Sequence, residues 1–222
     1  MAPISERMAR TNAPKRLREP DVTREKLLRA AFEEIYRRGY QSASLETILA
    51  KAGVTKGALY HHFPDKAALG KAVVEEVVTG LLLRRWSVES LAEAAGDPVT
   101  AIQQVIRHRS VELTRREVEL GCPLNNLAQE MSPLDQRFRR LVSRTFSTWR
   151  DAFARALERG QAEGSVRRNV NPRKTSDFIV AAIEGSYGLA KNAQSTTMLR
   201  SNLEVLIGFL DTLRSGGPQT SG

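Results

Sequence analysis

Apolar residues in this 222-residue chain return every three or four positions between glycine and proline breaks, and nowhere do they alternate with polar residues along a β-branched run. That pattern builds helices and no sheet, so the expected fold class is all-α, with about nine helices. Leu28, Ala31, Phe32 and Ile35 fall at helical spacing behind Thr23, a candidate N-cap, and Gly39 supplies the stop. A second helix of about two turns begins at Ser44 and carries Leu45, Ile48, Leu49 and Ala52 on one stripe before Gly53 ends it. Thr55 caps a third, closed by Phe63 and Pro64. Longer segments follow: Ala67 to about Ala95, Pro98 to about Glu119, Leu124 to Glu130, Ser132-Pro133 to Arg159, Pro172 to about Asn192, and Thr197 to Leu213.

Composition narrows the class. Apolar residues at 41% and charged residues at 27% suit a soluble globular protein rather than a disordered one. Uncharged apolar runs such as Val77 to Leu83 fall far short of the roughly 20 residues a bilayer demands. The start carries Arg7, Arg10, Lys15, Arg16 and Arg18 with no apolar core of a signal peptide, so the expected location is the cytoplasm. The lone cysteine, Cys122, excludes an intramolecular disulfide and a four-thiolate metal site. Net charge is +9, and residues 1–66 hold thirteen Lys/Arg against eight Asp/Glu, so an anionic partner is expected at the front.

The two short helices joined at Gly53 form a helix-turn-helix, whose second member has the size to enter a major groove. Glycine accepts positive φ there, and Val54 plugs the angle between the helices. The polar face of the third helix offers Thr55, Lys56, Tyr60 and His61 to phosphates and base edges. Gly57 lets the backbone approach, Ser44 presents a hydroxyl and a helix N-terminus to a phosphate, and Lys66 adds a further phosphate contact. Leu59 and Phe63 lie on the opposite side and belong to the core. A plain helical corner is the bland alternative. His61 and His62 are adjacent rather than i, i+4 apart, so no metal site is expected.

The stretch Ser44 to Leu69, SLETILAKAGVTKGALYHHFPDKAAL, resembles the DNA-binding motif of TetR-family transcriptional regulators, as does the preceding helix TREKLLRAAFEEIYRRGY. The close resemblance covers residues 23 to about 70. It implies that three N-terminal helices bind DNA, that the remaining helices bind a small molecule, and that the last two form a four-helix dimer interface. By it Thr55, Lys56, Gly57, Tyr60, His61 and Lys66 take DNA-contact roles. The expected organisation is a flexible basic arm at 1–20, a helix-turn-helix domain at 21–66, a ligand-binding and dimerisation domain at 67–214, and a flexible tail at 215–222. The arm either tracks the minor groove through Lys15, Arg16 and Arg18 or stays solvated.

The implied function is a ligand-responsive regulator, a repressor in the family's usual mode, binding a palindromic operator as a homodimer and released by a small-molecule inducer. No cofactor and no catalytic residue is expected. The rivals are a helical binding protein that has lost its DNA-reading role, which would show a damaged third helix, and an α-helical enzyme, for which Cys122 and His108 are the only conceivable pair. Candidate ligand-pocket residues are Trp86, His108, Asn125, Gln129, Phe138, Trp149 and Tyr187. Cys122 joins them because a helix N-terminus with Arg115 and Arg116 nearby would lower a thiol pKa, although a buried, inert thiol is the commoner case. The helix from Pro172, with Ala181, Ala182, Gly185 and Gly188, and the last helix, with Leu199, Leu203, Leu206, Ile207 and Leu210, form the expected dimer face at about 172–192 and 197–213.

Overall fold

A computed structural model describes residues 19–93 and 96–216 of the chain. The basic arm with Lys15, Arg16 and Arg18, and the tail from 217 onward, lie outside the described residues. The described residues are all-α apart from one isolated antiparallel bridge between Val166 and Arg214.

Helix α1 spans Glu19–Arg38, α2 Leu45–Ala52 and α3 Lys56–His62. Thr23 lies inside α1, which starts a turn earlier than its capping chemistry suggests. Ser44 caps α2 by accepting from the Thr47 N–H (3.3 Å), and Thr55 caps α3 by accepting from Ala58 (3.2 Å). Between them Gly53 takes φ +65°, the left-handed value that ends α2 and turns the chain. Asp65 then caps a rod made of α4 (Lys66–Ala72), a π-helical stretch (Val73–Val78) and α5 (Thr79–Arg85). The wide turns of the π stretch are held by the Thr79 hydroxyl, which donates to the Val74 carbonyl (2.8 Å) and lies 2.7 Å from the Thr145 hydroxyl.

Two helices expected to run unbroken are divided. The segment from Ala67 to Ala95 breaks at Trp86-Ser87, where Ser87 sits at φ +46° and Trp86 turns inward against Trp149, so that α6 (Val88–Glu93) starts on a new axis. The segment from Pro98 to Glu119 breaks into α7 (Pro98–Val111) and α8 (Arg115–Leu120) because Thr114 and Glu117 form a reciprocal capping box. Helix α9 covers Pro123–Met131, α10 Gln136–Glu163, α11 Pro172–Ala193 and α12 Thr196–Asp211. Asp135, not Ser132, caps α10, accepting from the N–H groups of Arg137 (2.6 Å) and Phe138 (3.2 Å).

Helix α10 is the spine of the body. Its face of Phe138, Leu141, Val142, Thr145, Trp149, Ala152, Phe153 and Ala156 is buried throughout, packing against α6, α7, α9 and α11. Helix α12 closes the body against α7 and α11.

Three polar joints fasten the first three helices to this body. Tyr36 on α1 donates to the Gly121 carbonyl at 2.6 Å, and Arg116 on α8 pairs with Glu33. Glu130, near the end of α9, accepts from the backbone N–H groups of Tyr40 and Gln41, both at 2.8 Å. Gly39, at φ +81°, brings the chain so close that a Cβ there would lie 2.9 Å from the Glu130 carboxylate.

Candidate functional site

The outer face of α3 is the first candidate. Thr55, Lys56, Gly57, Tyr60 and His61 are all exposed, while Leu59 and Phe63 are turned into the core. Lys56 Nζ stands 6.0 Å from the Tyr60 ring centroid, so the ammonium and the phenol share one projecting edge. At Gly57 a Cβ would meet nothing nearer than the Thr55 hydroxyl at 3.9 Å, which leaves the backbone open to solvent. The hydroxyls of Ser44 and Thr55 already accept one cap bond each, and each still has its proton free to donate to a phosphate. Lys66 is engaged differently: Nζ donates to the Gln41 carbonyl (3.0 Å) and lies over the Tyr40 ring, bracing the loop after α1.

The interior candidates do not gather in one cavity. Trp86 and Trp149 pack against each other in the core with their rings tilted by 33°, centroids 5.0 Å apart. Phe138 packs on Tyr40 at the joint between head and body, at 4.8 Å. His108 is exposed and pairs with Glu112, and Gln129 is exposed beside a groove of about 630 Å³ that also takes in Tyr36, Arg38 and Glu130. Only Cys122, Asn125 and Tyr187 approach one another, through residues that the sequence reading passed over.

The first of these is a buried ionic knot. Glu117 on α8 accepts from Arg109 on α7 (2.8 Å), from Arg85 on α5 (2.5 Å), and from the N–H and hydroxyl of Thr114, both at 3.0 Å. Burial alone would raise its carboxyl; the Thr114 N–H and the two guanidinium groups outweigh that and hold it below the usual carboxylate range. Arg109 also reaches the Tyr187 hydroxyl at 3.4 Å. Burial in turn pushes the Tyr187 hydroxyl up to about 12, Arg109 opposing it.

The second is Glu184 on α11, only 8% exposed, whose carboxylate has no cation beside it and no well-formed hydrogen bond, only the neutral Cys122 thiol and Asn125 amide nearby. Burial pushes it up to about 7, with Cys122 and Asn125 the polar side chains that partly offset the shift. It lines a groove of about 360 Å³ between α9, α10 and α11, together with Asn125, Ser143, Phe146 and Val180. A sequence signal existed: Glu184 interrupts the apolar stripe of Ile179, Val180, Ile183 and Tyr187, an odd place for a carboxylate.

Of the two readings of Cys122, the structure's burial of the side chain favours the inert thiol. Cys122 sits at the N-cap of α9, yet burial and the neighbouring Glu184 push its thiol well above the ordinary value, more than the Asn125 and Leu124 N–H groups lower it. Arg115 and Arg116 are spent on Glu119 and Glu33. Among the described residues, no helix is long and apolar enough to cross a membrane.

Comparisons with known proteins match the two parts separately. Residues 27–73 fit the model described as bacterial regulatory proteins, tetR family, and residues 98–204 fit the C-terminal domain of LmrA/YxaF-like transcriptional regulators. The chain is 31% identical over 163 residues to the HTH-type transcriptional repressor DhaR of Mycobacterium sp. (strain GP1), spanning 73% of this chain and 79% of that one. It is 34% identical over 179 residues to the uncharacterized HTH-type transcriptional regulator YxaF of Bacillus subtilis, spanning 80% and 89%. The crystal structure of a regulatory protein TetR from Rhodobacter sphaeroides superposes with a TM-score of 0.73 at 26% identity, over 84% of this chain and 98% of that one.

Proposed function

The chain belongs to the TetR family of bacterial transcriptional regulators, and on that premise we propose that it is a repressor that grips a palindromic operator as a homodimer and is released by a small-molecule inducer. The family is one of transcriptional regulators rather than enzymes, and the proposed role includes no catalytic step. The observation that carries the reading is the outer edge of α3. Thr55, Lys56, Gly57, Tyr60 and His61 stand exposed on a helix whose other side is anchored by Leu59 and Phe63, the arrangement a major-groove reader needs. Ser44 and Lys66 flank it as phosphate contacts, Lys66 after leaving the Gln41 carbonyl.

The test is a mobility-shift assay on the DNA upstream of the chain's own gene. Lys56→Ala and Tyr60→Ala are each expected to weaken binding about 10- to 100-fold, the cost of about 1–3 kcal/mol for one lost contact. Their melting temperatures should match the parent, since both side chains are exposed. Undiminished affinity in both variants overturns the assignment of this face.

The dimer reading rests on α11 and α12. Phe178, Leu189 and Val205 are 52%, 60% and 72% exposed, a row of large apolar side chains that a monomer would leave in water. At Gly185, Gly188 and Gly208 a Cβ would meet nothing within 4 Å, so a second copy can approach to backbone distance. Two readers bound to one palindrome need such a two-fold face. Leu189→Glu combined with Val205→Glu should sediment as a monomer and lose operator binding, while the parent sediments as a dimer at micromolar concentration. A monomeric parent would contradict the proposal.

In the proposed switch the inducer prefers a conformation whose reader spacing misfits the operator, and this difference in affinity sets the response. The rod from Lys66 to Arg85, helix α8 and helix α9 join body to head, and cytoplasmic DNA is the target.

A further inference from the structure

We propose that the groove between α9, α10 and α11 is the inducer site, and that it takes an organic cation, a small hydrophobic molecule bearing a protonated amine, on the carboxylate of Glu184. This rests on the ligand-released repressor reading and names the chemistry of its ligand.

Three observations converge on Glu184. The first is its missing partner. Elsewhere in the described structure, buried carboxylates are matched: Glu34 meets Lys51 and Arg38, and Glu117 meets Arg85 and Arg109. Glu184 is 8% exposed and no cation reaches it; its only polar neighbours are the neutral Cys122 thiol and Asn125 amide, and neither oxygen has a geometrically sound hydrogen bond. Burying a carboxylate without a partner is among the costlier acts in folding, and a ligand's ammonium group would supply the missing one.

The second is the shape and lining of the groove. About 360 Å³ accommodates a small ligand, with Phe146, Val180 and Ala181 as apolar wall, Asn125 and Ser143 as neutral polar groups, and Glu184 at its base. The sole cation lining it, Arg150, places Nη1 on Asp177 at 3.0 Å and Nη2 on the Ser147 hydroxyl at 3.1 Å, so its charge is already paired and only the buried Nε keeps an unused N–H. An anionic ligand would therefore meet two carboxylates, Asp177 and Glu184, against one guanidinium already paired with the first. The Phe146 ring offers a cation a second favourable surface.

The third is where the site sits. Cys122 and Asn125, the groups beside Glu184, form the first turn of α9, and the last turn of that helix carries Glu130, which holds the Tyr40 and Gln41 N–H groups of the head. A ligand that draws Glu184 and the start of α9 into new positions acts on a nine-residue helix whose other end grips the reader. Asp177 and Ala181, at the mouth, lie on the exposed α11 face proposed for the dimer, so binding is to be measured on the intact dimer.

The experiment uses benzylamine as the cation, with benzyl alcohol and benzoate as its neutral and anionic counterparts, titrated calorimetrically into the full chain at pH 8. Benzylamine should bind at least tenfold more tightly than benzyl alcohol, and benzoate more weakly than either. Glu184→Gln should remove the preference for the amine, leaving amine and alcohol within about twofold. Ser143→Trp, which fills the groove without touching the carboxylate, should abolish binding of all three. In parallel, the mobility-shift assay should find Glu184→Gln still bound to the operator and no longer released by benzylamine. Equal binding of amine and alcohol by the parent, or an amine preference that survives in Glu184→Gln, overturns the proposal. Failure of the parent to bind operator DNA would instead strike the repressor reading, since the calorimetric preference is scored without DNA.

Discussion

Replacing Glu117 with alanine is expected to cost the folded protein about 3–5 kcal/mol, the penalty of breaking a buried ion pair by removing one partner. In a domain of this size that lowers the melting temperature by roughly 6–20 °C. Arg109, 3% exposed, would keep only the Tyr187 hydroxyl at 3.4 Å and a distant Glu112, while Arg85 would lose its carboxylate entirely. The capping box of α8 would go with it, because Glu117 also accepts from the Thr114 N–H. Arg115→Ala, which removes a surface pair with Glu119, serves as the control and should change stability by less than about 1 kcal/mol. Chemical denaturation of the three proteins decides the matter: a Glu117→Ala loss no larger than the control's would show that the knot stabilises nothing.

Glu184→Gln should act in the opposite direction, making the protein more stable above neutral pH. The folded carboxyl is raised to about 7 from an ordinary value of 4.5 by burial. Below the ordinary value both folded and unfolded chains hold the proton, and Glu184 contributes no pH dependence. Between the two values the folded chain holds a proton that the unfolded chain has released, so stability falls as pH rises through this window. Above about 7 the carboxylate is charged in both states and the burial penalty is fully felt, on the order of 3 kcal/mol. The groups facing it do not reverse the sign: Asn125 is neutral, and the Cys122 thiol is itself pushed upward. Subtracting the stability–pH curve of Glu184→Gln from that of the parent should therefore give a step between about pH 4.5 and 7, with glutamine ahead by about 2–3 kcal/mol at pH 8. Parallel curves would mean that Glu184 keeps an ordinary proton affinity.

The helices were legible because their periodicity and punctuation are local. Gly53, Thr55 and Asp65 act within a few residues of themselves, and the edges they set follow the sequence. Breaks that depend on distant partners were not legible. Nothing near Trp86 announces that Trp149, more than sixty residues on, draws it inward and turns the chain at Ser87. The outer edge of α3 could be named residue by residue, because a seven-residue helix shows which side is apolar. The interior could not: aromatic and polar residues chosen by type scatter between core, joint and surface, since three-dimensional proximity joins Cys122 and Asn125 on one helix to Glu184 on another. The better clue was a violation of pattern, a carboxylate in an apolar stripe. For Cys122 the sequence left a thiol at a helix start near arginines beside a buried, inert one, because burial is a property of the whole packing.

The bond from Glu130 to the Tyr40 and Gln41 backbone bears on how such chains can be recombined. A reading head excised at Asp65 and grafted onto another body would leave its own anchor behind, stranding two N–H groups and a left-handed Gly39 shaped around a carboxylate that is no longer there. A transplantable cassette that keeps these joints is discontinuous: helices α1 to α3 together with α8, Gly121 and α9. Exchanging operator specificity while keeping the sensing chemistry therefore involves not only the reading helices but also the acceptor at the end of that distant helix.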